Sequence, residues 1–122
     1  MPGRRTPLIM VAASLALLCG CGHTQAVGSD RILQVSLSEY RVTPQSVRAS
    51  AGPLILVVHN YGRLTHDLVI SLSDHPEAST KPIAPGQTAQ LAVTLPSGKY
   101  LMASTILSDQ ALGAYGTLTV TS

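Results

Sequence analysis

Apolar and polar positions follow two different patterns along the 122 residues. Leu8 to Leu18 is one apolar run behind Arg4 and Arg5, whereas from Arg31 onward apolar residues recur with a period of two. Leu33, Val35 and Leu37 alternate with Gln34, Ser36 and Ser38, the pattern of a half-buried strand. Turn signals then return at intervals of about ten residues: Thr43-Pro44, Ala51-Gly52-Pro53, Asn60-Tyr61-Gly62, Ala84-Pro85-Gly86 and Pro96-Ser97-Gly98. Each supplies a preset φ or a glycine able to take φ > 0. Between them lie Gln45–Ser50, Leu54–His59, His66–Leu72, Thr88–Leu95, Lys99–Thr105 and Tyr115–Thr121, which with the first strand make seven. The spacing predicts an all-β sandwich of about seven strands. Leu54 to Val58 is apolar at every position and predicts a central strand covered on both faces. The longest connection, Ser73–Gln87, is polar and holds Pro76, Pro82 and Pro85; it predicts a crossover with one helical turn near Glu77 to Thr80.

The amino-terminal pattern has a different meaning. A charged start followed by a short apolar run reads as a signal peptide, and the run is too short to span a bilayer. Leu18-Cys19-Gly20-Cys21 resembles a bacterial lipobox, in which cleavage precedes a cysteine that receives diacylglyceryl and palmitate chains. Cys21 is the expected acceptor, because small Gly20 precedes it while bulky Leu18 precedes Cys19. An ordinary secretory signal with incidental cysteines is the alternative. The expected organisation is a signal peptide over residues 1–20, lipidated Cys21 with a flexible tether through residue 30, and one β-sandwich domain over residues 31–122. The chain is thus expected at the extracytoplasmic face of a bacterial membrane, which it contacts through the lipid. Gly22 to Ser29 is small and polar, as suits a tether, and His23 within it is expected to be solvated.

Cleavage alters the charge and the redox chemistry. Arg31, Arg41, Arg48, Arg63, Lys81 and Lys99 remain against Asp30, Glu39, Asp67, Asp74, Glu77 and Asp109, so six minus six leaves a net charge of zero. The whole-chain charge of +2 belongs to Arg4 and Arg5. Neither a basic patch nor a nucleic-acid-binding signature is present, so nucleic acid is not an expected partner. With Cys19 removed and Cys21 acylated, the domain has no thiol and no disulfide, and packing alone must stabilise it. Phe and Trp are absent, so Leu, Val and Ile fill the core around Tyr40, Tyr61, Tyr100 and Tyr115.

Candidate chemistry lies at the carboxy-terminal end. Tyr100 to Val120 resembles the cupredoxin pattern Tyr-x-x-x-Cys-x-x-x-x-His-x-x-x-x-Met-x-Gly-x-Leu-x-Val, with Ser104 at the Cys position, Asp109 at the His position and Ala114 at the Met position. Glu39 to Pro44, the element Asn60-Tyr61-Gly62 followed by His66, and Pro85 to Thr88 resemble further cupredoxin motifs in the right order. The resemblance implies a Greek-key β-sandwich and places His66, Ser104 and Asp109 at the end where copper lies in that family. A blue-copper site needs a thiolate, two imidazoles and a weak axial sulfur. Three of those four ligands are replaced, so the resemblance implies a degenerate type 1 copper site in which only His66 matches a ligand.

Four readings of the cluster compete. The first is a polar remnant in which Ser104 or Asp109 satisfies an inward-pointing His66. The second is weak copper or other metal binding through His66, helped by His59 or His75; His59, three residues from the Gly62 turn, reads more simply as a core or turn histidine, and His75, in the Ser73–Gln87 loop, as a solvated residue. The third is a Ser-His-Asp hydrolase, against which stands the lack of a Gly-x-Ser-x-Gly elbow around Ser104. The fourth is an interaction domain that engages another envelope protein. The expectation is a membrane-anchored binding or structural module, not an enzyme, with no resident cofactor; copper handling through His66 is the alternative.

Overall fold

The computed structural model describes Gly3, residues 23–106 and residues 109–122. The expected signal peptide, Cys19 and Cys21 lie outside the described residues. Among the described residues there are ten strands and no α-helix: β1 (Gln25–Ala26), β2 (Ile32–Ser38), β3 (Arg41–Thr43), β4 (Ser46–Ser50), β5 (Gly52–Asn60), β6 (Val69–Leu72), β7 (His75–Ser79), β8 (Thr88–Leu95), β9 (Gly98–Ala103) and β10 (Tyr115–Thr121). They form a six-stranded sheet in the order β1-β4-β10-β9-β6-β7 and a four-stranded sheet in the order β3-β2-β5-β8. β4 runs parallel to β1 and β10, and β2 runs parallel to β5; the other pairings are antiparallel. Neighbours in space are often distant in sequence, as in a Greek-key sandwich.

The period-two segments put their apolar rows between the sheets. Leu33, Val35 and Leu37 of β2 and Leu54, Leu56 and Val58 of β5 face Val47, Ile70, Tyr100, Met102 and Leu118 from the larger sheet. Tyr100 is the largest fully buried side chain, and its hydroxyl donates to Pro96 O at 2.7 Å, so the core gains an aromatic ring without a stranded polar atom.

Three strands exceed the seven expected. β1 falls in the predicted tether, where Gln25 and Ala26 pair with Val47 and Arg48, Val27 N donates to Arg48 O at 2.9 Å, and the Val27 side chain packs against the core. β3 follows β2 after the two-residue connection Glu39–Tyr40, in which Tyr40 takes φ 62°. β7 replaces the predicted helical turn. Ser73 and Asp74 take φ 48° and 64°, the left-handed pair that closes a tight hairpin, so the chain folds straight back along β6. Pro76 is accommodated because β7 is an edge strand.

Two boundaries also differ. The strand expected from His66 begins only at Val69, since His66 instead forms an isolated bridge with Ile83 and Leu68 N is taken by Thr80 Oγ1 at 3.0 Å. β5 is central in its sheet, between β2 and β8, but it is covered on one face only: Leu56 is fully buried while Ile55 is 41% exposed. Continuous apolar sequence marked the middle of a sheet here, without a layer on its outer side. Leu56→Ala is therefore expected to lower the unfolding free energy by about 2–5 kcal/mol, and Ile55→Ala by less than about 1 kcal/mol, in denaturant titrations followed by circular dichroism. Equal losses would contradict an open outer face.

Candidate functional site

The site is built by three connections at one end of the sandwich. The first is the turn after β5. Asn60 is buried; its side-chain amide donates to Leu64 O and Ile83 O, both at 2.8 Å, and its Oδ1 accepts from Gly62 N at 2.8 Å. This side chain fixes the loop that leads into His66, and the paired bonds His66 N to Ile83 O and Ile83 N to His66 O, at 3.1 and 2.7 Å, hold the residue against the next connection. The packing explains the glycine of the Asn-x-Gly element: a Cβ at position 62 would come within 2.7 Å of Glu39 Oε1 and 2.9 Å of His66 Nε2.

His66 is fully buried. Its Nδ1 lies 2.6 Å from Asp109 Oδ2, and an ionised carboxylate can only accept, so Nδ1 carries the proton of this pair. The same oxygen accepts from the Ser104 hydroxyl at 2.6 Å. Asp109 is brought in by a tight loop in which Ala114 N donates to Asp109 O at 2.9 Å and Gly113, at φ 115°, packs on the backbone of Tyr40. Ser104 directly follows β9, and its N donates to Ala114 O at 3.0 Å. Ala114 is buried beside the cluster and offers it only a methyl group.

Two carboxylates border the cluster that the sequence did not single out as site residues. Asp67 accepts from Thr105 N at 2.6 Å and Thr105 Oγ1 at 2.8 Å, which clamps the chain just after Ser104. Glu39 accepts from the amides of Arg63 and Leu64 and approaches His66 Nε2 to 3.6 Å. Bonds from backbone amides, its own first and then those of Arg63 and Leu64, hold the Glu39 carboxyl below its ordinary value, with a smaller pull from His66. His66 Nε2 itself is buried without a hydrogen-bond partner.

No family model and no curated protein matches the sequence. Solved structures do match the fold. Reduced auracyanin from Roseiflexus castenholzii aligns with a TM-score of 0.69 and 17% identity over 78% of this chain and 100% of its own. Auracyanin A from Chloroflexus aurantiacus, described as a "blue" copper protein, aligns with a TM-score of 0.65 and 15% identity over 79% and 99% of the two chains. An azurin from Methylomonas sp. strain J aligns with a TM-score of 0.66 and 12% identity over 75% and 98%. The chain has a cupredoxin-like fold.

Within that fold, the donor set does not fit a type 1 copper ion. His66 supplies the one imidazole of the cluster, its Nδ1 is engaged by Asp109, and Ser104 and Asp109 offer only oxygen, whereas a type 1 site needs a thiolate and a second imidazole. Among the described residues no group of three or more His, Cys, Asp or Glu side chains is arranged to hold a metal ion. The other three histidines are elsewhere, and His23, ahead of β1, is exposed. His59, expected in the core or a turn, points to the outer face of β5, where Nε2 lies 2.7 Å from Gln34 Oε1, Nδ1 lies 3.0 Å from Thr88 Oγ1 and the ring stacks on Tyr61. His75, expected in a loop, is exposed on β7.

The arrangement also differs from a hydrolytic triad. In such a triad the imidazole bridges hydroxyl and carboxylate; here the carboxylate bridges hydroxyl and imidazole. Replacing the bridging group should therefore cost stability. Asp109→Ala is expected to lower the unfolding free energy by about 1–3 kcal/mol, because two buried donors lose their shared acceptor. Asp109→Asn, which keeps an acceptor oxygen, should lose less. Thermal and denaturant unfolding of the two variants checks the order.

Proposed function

We propose that this chain is an exported bacterial lipoprotein, anchored through Cys21, whose cupredoxin-like domain serves as a binding or structural module and carries neither catalysis nor electron transfer. The reading rests on one observation above all: Asp109 Oδ2 accepts from both His66 Nδ1 and Ser104 Oγ at 2.6 Å. A carboxylate occupies the junction of the remaining ligand positions and satisfies them by hydrogen bonding. The lipobox-like Leu18-Cys19-Gly20-Cys21 and the apolar leader support export and anchorage.

The second reading, weak copper handling through His66, has its own observation in its favour. His66 Nε2 is buried without a partner and faces Glu39 across 3.6 Å. An imidazole and one carboxylate are a sparse donor set for copper, so we rank this reading below the first.

Separate measurements test the ligand set, the alignment and the anchor. Titrated with Cu(II), the parent chain should develop no intense visible band, because thiolate charge transfer is the source of the blue colour and the cluster has no thiolate. The triple variant Ser104→Cys, Asp109→His, Ala114→Met should turn blue with Cu(II). A strong chromophore in the parent would overturn the reading of the ligand set, and a folded but colourless variant would overturn the alignment of these positions with copper ligands. Separately, mass spectrometry of the mature amino-terminal peptide is expected to find acylated Cys21. A mature chain that retains Cys19, or starts at an unmodified residue, rules out the anchor.

A further inference from the structure

The two sheets end in four border strands, and these differ in what they leave open. β1 and β3 have two and three residues, too short to template another strand. β7 carries His75, Pro76 and Glu77, and proline and charge both oppose addition of a strand. β8 has none of these protections. Its eight residues, Thr88 to Leu95, include no charge, no proline and no glycine. β8 pairs with β5 along its whole length, and among the described residues its backbone makes no hydrogen bond to any other segment. The inward row also thins toward one end of this edge: Val93 and Leu95 are buried, while Ala89 and Leu91 are only partly covered.

We propose that β8 is where a second copy of this chain binds, by antiparallel two-fold pairing of β8 with β8, so that four strands from each copy form one continuous sheet. The strand's composition selects this occupant. Across a two-fold axis the strand meets itself, so a charge near the centre would oppose its like; β8 has no charge to oppose. Directly opposed residues of an antiparallel pair lie on the same face, so the outward row Thr88, Gln90, Ala92 and Thr94 meets its own copy. Thr and Gln side chains both donate and accept, which makes that row complementary to itself. The half-covered Ala89 and Leu91 gain apolar neighbours from the partner's inward row. A foreign extended peptide would find neither a charge nor a deep pocket among these short outward side chains to select its sequence. One strand from each copy forms a small interface, at or below the lower end of about 1,200 Å² for stable complexes, so the dimer should be reversible.

The proposal is independent of the reading of the copper positions and is tested on the full chain. Sedimentation equilibrium in density-matched detergent should show a concentration-dependent monomer–dimer equilibrium. The double variant Gln90→Lys, Ala92→Lys changes only exposed outward residues of β8 and should keep its circular dichroism spectrum, yet weaken the dimer by about tenfold or more through like-charge opposition. Gln90→Glu, Ala92→Glu should do the same. Mixing the two double variants should restore association, a result that a folding defect in either could not produce. A chain that stays monomeric throughout, a dimer indifferent to both double variants, mixed variants that fail to associate, or assembly beyond two copies would each overturn the proposal.

Discussion

A buried carboxylate is costly unless it is hydrogen-bonded, and Asp109 Oδ2 takes donors from two other parts of the chain. His66 comes from the connection before β6, Ser104 from the end of β9, and Asp109 from the loop that leads into β10. One oxygen therefore ties together three segments that the sheets deliver to the same end of the sandwich. Around it lies a ring of backbone anchors: Asn60 holds the turn before His66, Asp67 clamps Thr105, and Glu39 caps the amides of Arg63 and Leu64. Such a network rigidifies a site when nearly every member is satisfied. Here the exception is the Nε2 of His66.

Hydrogen bonding gathers the side chains of this cluster, as metal coordination does in a blue-copper site. A metal gathers side chains by accepting lone pairs, so each ligand must present an unprotonated donor atom. A carboxylate gathers them by accepting hydrogen bonds, so O–H and N–H groups can approach it without losing a proton. This explains how the end loops of this cupredoxin-like fold are held together by Ser104, Asp109 and His66 through hydrogen bonds.

Much of this architecture was legible in sequence, and the unread parts have physical causes. β2 stood out because its apolar row is interrupted by polar residues at every second place. β7 did not: its residues are polar and include Pro76, so neither periodicity nor propensity distinguished it, and Ser73-Asp74 closes its hairpin without the glycine that usually announces one. The two-faced apolar run of β5 indicated a central strand, but hydrophobicity alone could not tell a covered outer face from an open one. Within the site, Ser104 and Asp109 were locatable because motif spacing fixes them relative to Tyr100 and Val120. Glu39 was visible only as the start of a strand-and-turn motif, since its bonds reach Leu64 and His66 across more than twenty residues of intervening chain.

The short pairing of β1 with β4 changes the reach of the amino terminus. A tether free from residue 22 through residue 30 would let the domain wander about 30 Å from an anchored Cys21, at the extended length of a polypeptide. Because Gln25 is held against Val47, the reach from residue 21 to Gln25 is about 14 Å at most. Were the chain anchored at Cys21 as proposed, the β1–β4 border of the larger sheet would be kept near the bilayer, with the membrane as a wall beside it. The domain would then be mounted in a restricted set of orientations, and every partner would have to approach from the half-space the lipid leaves open.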